Sequence, residues 1–249
     1  MYNKPLFRHP CRLIIAGRSQ KGKTTLLIKL LIKYFMHQVD RIIIISPTYY
    51  HDVKWRLIDC NLTKEDRIYT EYYPKVIIQL SNYVKTLSMM GLATLVVMDD
   101  LTYAARTQGK SERLLNRLIA DAVHFNTSVV VSVQRMVHTT MDMRENTDYF
   151  ITFSNVNQGE LSTIYKYFGG GTKKQFYELL HRATSRSYDT LCVDMSGPQI
   201  VYRCNLVPIR VGFLATHDAK NLQSSSKKRK YVSSHNYDLP VFTKRRRYR

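Results

Sequence analysis

One contiguous stretch constrains this chain more than any other. Residues 12–35 begin with the apolar run Arg12-Leu13-Ile14-Ile15-Ala16 and pass through Gly17-Arg18-Ser19-Gln20-Lys21-Gly22-Lys23-Thr24-Thr25. They leave through Leu26-Leu27-Ile28-Lys29-Leu30-Leu31-Ile32-Lys33-Tyr34-Phe35. A strand-like segment thus enters a glycine-bounded loop, and a helix-like segment leaves it. Gly17 through Thr24 satisfy the spacing G-x-x-x-x-G-K-[ST] of a phosphate-binding loop. The loop amides and the helix N-terminus present donors and partial positive charge to phosphate oxygens. Lys23 is placed to reach β- and γ-phosphates and the Thr24 hydroxyl to ligate Mg²⁺. The pattern therefore predicts residues 17–25 as the nucleotide-binding segment, with ATP and Mg²⁺ as cofactors.

The rest of the chain is read from that unit. Strand-like and helix-like segments alternate after it. Strands are expected at 41–46, 67–70, 94–98, 127–133 and 148–153, and helices at 74–89 and 110–125, with a short helix at 51–59. In the 110–125 segment, Leu114, Leu115, Leu118, Ile119 and Ala122 fall on one helical face. This order predicts a mostly parallel sheet covered by helices on both sides. Two further helices are expected at 158–167 and 173–182, then a hairpin from 188–195 and 200–205 around Gly197-Pro198. We divide the chain into an ATPase core at 1–155, a region at 156–217 that either completes the core or is a small accessory unit, and a tail at 218–249.

The run Leu95-Val96-Val97-Met98-Asp99-Asp100 delivers two carboxylates at the end of a buried strand. In an open α/β sheet ligands gather at that edge. Asp99 is assigned to Mg²⁺ together with Thr24, and Asp100 to the water that attacks the γ-phosphate. The next strand, Ser128-Val129-Val130-Val131-Ser132-Val133, ends in Gln134, which is expected beside the γ-phosphate. Arg144 is a candidate for an arginine supplied to a neighbouring subunit's nucleotide, in competition with Arg106 and Arg135.

Charge narrows the partners. The 38 Lys and Arg against 19 Asp and Glu give a net charge of +19, which favours polyanions. Residues 218–249 hold ten basic and two acidic residues, net +8, and the remaining 28 against 17 leave +11 on residues 1–217. The tail carries Lys227-Lys228-Arg229-Lys230 and Lys244-Arg245-Arg246-Arg247 in a polar, Ser-containing context. It is expected to be disordered, serving DNA binding or nuclear import. No apolar run approaches the ~20 residues of a membrane span, so no membrane partner is expected. Cys11, Cys60, Cys192 and Cys204 lack zinc-ligand spacing and are expected to be reduced thiols.

Taken together, Gly17–Thr25, Asp99-Asp100, His124-Phe125-Asn126-Thr127-Ser128 before the Gln-tipped strand, and Arg144-x-Asn146-x-Asp148-Tyr149 resemble one family. It is the poxvirus-type DNA-packaging ATPases of the FtsK–HerA superfamily, found also in other large eukaryotic DNA viruses, virophages and Polinton-like elements. The resemblance covers roughly residues 10–155. This chain departs from it with Val123-His124 where Arg-His is common, and with Gln20 where a second loop glycine is frequent. The resemblance implies a P-loop NTPase fold of the additional-strand type. It further implies a homo-oligomeric ring, pentameric or hexameric, that drives double-stranded DNA into a capsid, with a capsid or portal protein as partner. The host nucleus and the virion are the implied locations. The competing readings are a single-strand DNA translocase or helicase, a P-loop nucleotide kinase, and a basic DNA-binding protein with a vestigial loop.

Overall fold

The computed structural model describes residues 6–101, 110–154 and 157–211. Arg106 and the whole basic tail, with Lys227–Lys230 and Lys244–Arg247, lie outside the described residues.

Among the described residues one sheet of nine strands organises the fold, in the order β3-β2-β4-β5-β1-β6-β7-β8-β9. The strands are β1 (Arg12–Ala16), β2 (Arg41–Ile45), β3 (Arg67–Tyr69), β4 (Thr94–Met98), β5 (Thr127–Val133), β6 (Tyr149–Phe153), β7 (Thr190–Asp194), β8 (Val201–Cys204) and β9 (Val207–Pro208). The first six pair in parallel, and β7 to β9 continue antiparallel from β6. Strand β5 stands between β1, which feeds the glycine loop, and β4, which ends in the acidic pair. That insertion is the additional strand expected from the sequence.

Both sheet faces are covered, and the period-2 alternation of the strands decides which side chain goes where. Ile43, Ile45, Val96, Met98, Val129 and Val131 point into one core, while Ile42, Ile44, Leu95, Val97 and Val130 point into the other. The four consecutive isoleucines of β2 are thereby split between two cores, as expected of a parallel strand buried on both faces. Against the first face pack α3 (Pro74–Met89) and α4 (Lys110–Asp121), followed later by α6 (Gln158–Phe168) and α7 (Lys173–Ala183). Helix α3 offers Ile77, Leu80, Val84 and Leu87 at helical spacing, with Pro74 at its first turn. Helix α4 buries Leu115, Leu118 and Ile119 beside it, and the turn that follows buries Ala122. The second face is covered by α1 (Lys23–Leu30), by Phe7, and by Trp55 and Ile58 at the short α2 (Arg56–Asp59). The short α5 (Met141–Glu145) leads into β6.

The region after 156 joins the same body. Ile164, Phe168, Phe176, Leu179, Leu180, Leu191, Val193 and Tyr202 belong to the core that holds β1, β4 and β5. Phe168 of α6 stacks on Phe150 of β6 with ring centroids 4.1 Å apart. Helix α7 starts with a reciprocal capping box between Thr172 and Gln175, which satisfies two amides that have no partner within the helix.

Candidate nucleotide site

Parallel pairing brings the carboxyl ends of β1, β2, β4 and β5 to one edge, and the predicted site residues meet there. At the end of β1 the chain turns into the loop, anchored by Gly17 N donating to Val133 O at 3.1 Å. Gly17 is required for space: a Cβ there would stand 2.8 Å from Phe153 Cδ2. Gly22 is required for conformation, with φ of 87° in the left-handed region just before α1 begins. Gln20, where a second glycine is frequent, also has positive φ at 62°. The loop therefore keeps its geometry without that glycine.

Lys23 opens α1 and is buried, with Nζ donating to Arg18 O across the loop at 3.1 Å. Burial pulls its pKa down, and the nearby carboxylates of Asp100 and Asp99 pull it back up. Asp99 is buried too, and burial raises its pKa against the hydrogen bonds that support the anion. Those bonds come from strand tips. Ser132 Oγ donates to Asp99 Oδ1 at 2.5 Å and Ser46 Oγ to Asp99 Oδ2 at 3.4 Å. Ser132 Oγ also accepts from Asp100 N at 3.0 Å, so one hydroxyl fixes both acids. Asp100 sits at φ of 50°, in the left-handed region that aspartate tolerates better than most non-glycine residues. That turn aims its carboxylate at Gln134, whose Nε2 donates to Oδ2 at 3.0 Å. The other oxygen, Oδ1, is buried without a protein partner.

These groups share a cavity of about 470 Å³, lined by Ser19, Gln20, Gly22, Lys23, Thr24, Asp99, Asp100 and Gln134, together with Thr48 and residues 51–54. The donor set suits a hard divalent cation: a threonine hydroxyl and a buried carboxylate, with an unsatisfied carboxylate oxygen alongside. Among the described residues no cluster of three or more His, Cys, Asp and Glu offers an alternative metal site.

A family model described as poxvirus A32 protein matches residues 1–196. The chain belongs to the poxvirus A32 protein family. The resemblance read from the motifs is thus borne out, and beyond the stretch that carried it. Among curated proteins, uncharacterized protein 015R of Frog virus 3 is 25% identical over 187 residues, covering 74% of this chain. The match covers 56% of that relative, so the chain spans a little over half its length. Among solved structures, the genome-packaging NTPase B204 of Sulfolobus turreted icosahedral virus 2, in complex with AMP, superposes with a TM-score of 0.61 at 18% identity. It covers 79% of this chain and 98% of that one. The DNA-packaging ATPase B204 of Sulfolobus turreted icosahedral virus gives 0.60 at 19% identity, covering 82% and 100%. The fold is that of the P-loop packaging ATPases.

Sequence reasoning placed the loop, the acidic pair and Gln134 at one edge, and the structure joins them in one cavity. Arg144 is not brought to it. Its Nη1 donates to Met136 O at 3.0 Å and Thr139 O at 2.6 Å, and its guanidinium lies over the Tyr167 ring, 4.9 Å from the centroid. It holds the turn after Gln134 in shape. Arg144→Ala is therefore expected to remove the charged donor from Thr139 O, while Met136 O keeps Thr139 N and Oγ1, and to cost about 2–3 kcal/mol, lowering Tm by roughly 5–10 °C in a thermal melt. A variant of native Tm with lost ATPase activity would instead place Arg144 in the chemistry. Arg135 is half-exposed, with Nε 3.7 Å from Glu160 Oε1.

Ser46, Ser132 and Tyr72 were not singled out from the sequence. Tyr72 Oη donates to Ile45 O at 3.1 Å and Asp99 O at 2.7 Å, tying the ends of β2 and β4 together. The available signal was a hydroxyl at the carboxyl end of an apolar run: Ser132 between valines, and Ser46 directly after the isoleucines. The four cysteines are free, and burial pushes the thiols of Cys11 and Cys192 up to about 12, which keeps them unreactive.

Proposed function

We propose that this chain is an ATP-hydrolysing motor that drives double-stranded DNA into a viral capsid. The observation that carries the reading is the cavity in which Lys23 and Thr24 face Asp99, Asp100 and Gln134. Lys23 and the loop amides hold the phosphates. Asp100, steadied by Gln134, has one carboxylate oxygen left to accept a proton from the attacking water or to orient it. Gln134 bonds to that same carboxylate, so loss of the γ-phosphate is felt at the tip of β5 and passes to the turn that Arg144 supports. Thr24 and Asp99 would hold Mg²⁺, which supplies charge neutralisation on the phosphate oxygens when bound.

Family membership and the fold shared with B204 support the packaging role, as do the nucleotide complexes of B204 with AMP and ATP-γS. The net charge of +19 supports a DNA partner. A homo-oligomeric ring, a capsid or portal partner, and residence in the host nucleus or virion belong to the same reading. The basic clusters of the tail serve it as a DNA contact or import signal. Among the described residues no helix is long and apolar enough to cross a membrane.

The test is ATP hydrolysis by the full chain without DNA, with duplex and with single strands of equal length, with oligomeric mass measured in parallel. Duplex DNA is expected to stimulate turnover more than single strands, in a multimeric species, with stimulation falling steeply as salt rises. Preference for single strands would favour a helicase or single-strand translocase. A monomer indifferent to DNA that phosphorylates a small acceptor would be a kinase.

A further inference from the structure

The far side of the glycine loop opens into a second cleft of about 640 Å³, and its outer wall comes from the C-terminal hairpin. Leu26 of α1 and Phe153 of β6 line it together with Tyr188, Asn205 and Leu206. The two cavities adjoin the same loop, and Gln20, Gly22 and Lys54 line both. The Tyr188 ring lies against the loop itself: a Cβ on Gly22 would stand 3.1 Å from its Cδ1. Yet Tyr188 is 68% exposed, so most of this aromatic surface is uncovered.

The backbone here is held in an unfavourable shape. Among the described residues six non-glycine positions have positive φ, and five of them line one of these two cavities: Gln20 and Asp100, then Tyr188 at 70°, Asn205 at 49° and Leu206 at 70°. Such conformations persist where surrounding structure enforces them, and they cluster at ligand sites. Asn205 does the enforcing. Its Oδ1 accepts from Thr190 N at 2.9 Å and its Nδ2 donates to Asp189 Oδ1 at 2.7 Å, which fastens the turn bearing Tyr188 to the turn bearing Leu206. With its amide committed to the hairpin, Asn205 acts as a positioning residue.

We propose that this cleft receives the nucleobase of the nucleotide whose phosphates occupy the loop, stacked on Tyr188 and flanked by Leu26 and Leu206. A flat ring with apolar faces, joined through a sugar to a phosphate chain, matches an aromatic platform that abuts the phosphate loop. The proposal gives the C-terminal hairpin a share in the ATP site and rests on the nucleotide reading above.

The experiment measures two affinities on the full-length protein with Mg²⁺: ATP by calorimetry and inorganic tripolyphosphate by competition. Tyr188→Ala is expected to weaken ATP about ten-fold, as for loss of one base–aromatic stack, and to leave tripolyphosphate unchanged. Tyr188→Phe restores ATP affinity because the ring is retained. Native Tm is expected in both variants, since the side chain is mostly exposed. Unchanged ATP affinity in Tyr188→Ala overturns the proposal. So does equal loss of both ligands, which would make the ring a prop for the loop at Gly22. Wild-type protein that binds neither ligand would remove the nucleotide reading as well, whereas binding of both with an indifferent Tyr188→Ala removes the base cleft alone.

Discussion

Lys23→Ala is expected to reduce ATP hydrolysis at saturating Mg²⁺-ATP by about three orders of magnitude, because the only buried cation among the described residues of the cavity is then lost. Lys23 is 9% exposed, and its amine lies within the field of Asp99 and Asp100. Removing it leaves two carboxylates facing incoming phosphates with no compensating charge from the first turn of α1. The fold should survive, since α1 is held by Leu27, Ile28 and Leu30, none of which the substitution touches. Native Tm and retained DNA binding, with phosphate release near background, are the expected results. Turnover near the wild-type rate would sink the assignment of residues 17–24 as the phosphate loop.

Arg203→Ala is expected to destabilise the protein by about 3–5 kcal/mol, because it leaves a shielded carboxylate without its cation. Arg203 Nη1 meets Asp194 Oδ2 at 2.8 Å, with side chains 13% and 11% exposed. The pair joins β8 to β7, and Asp194 Oδ1 also accepts from Ser196 N at 3.0 Å and Ser196 Oγ at 2.7 Å. Tyr149 Oη of β6 donates to that Ser196 hydroxyl at 3.0 Å, which carries the network into the parallel sheet. At this chain length the expected fall in Tm is roughly 10 °C. Removing both charges in Arg203→Ala/Asp194→Ala should recover much of the loss, since no ion is then stranded. The transition should stay single and cooperative. A separate early transition for the C-terminal strands, with the ATP site intact, would mean that 157–211 folds as an accessory unit.

The elements of the fold were largely legible, because the chemistry that specifies them is local. The isoleucines of β2, the Pro74 start of α3 and the apolar spacing of α4 each act over a few residues, and strand, helix and order followed. The acidic pair was legible as the end of a buried run. Arg144 shows where such reading stops. Next to Asn146 and Asp148 it resembled an arginine offered outward, but its Nη1 is turned to carbonyls of the preceding turn. Asp148 is likewise used inward, with Oδ2 accepting from Arg12 N at 2.8 Å at the start of β1. A charged side chain's direction depends on which carbonyls the fold leaves unpaired nearby, and spacing along the chain does not report that.

By itself the sequence determined a glycine-bounded phosphate loop between a strand and a helix, a pair of acids on a later strand, and an excess of positive charge. Each depends on residue identity and short spacing alone. Only the tertiary structure decided that Gln134 reaches Asp100, that Ser132 grips both acids, and that Tyr188 stands against Gly22. Those contacts depend on β5 entering between β4 and β1, and on three antiparallel strands bringing residues 188–206 back to the loop. Sheet order and register are set by the summed burial of both cores, so distant residues meet at the loop only once the whole sheet has formed.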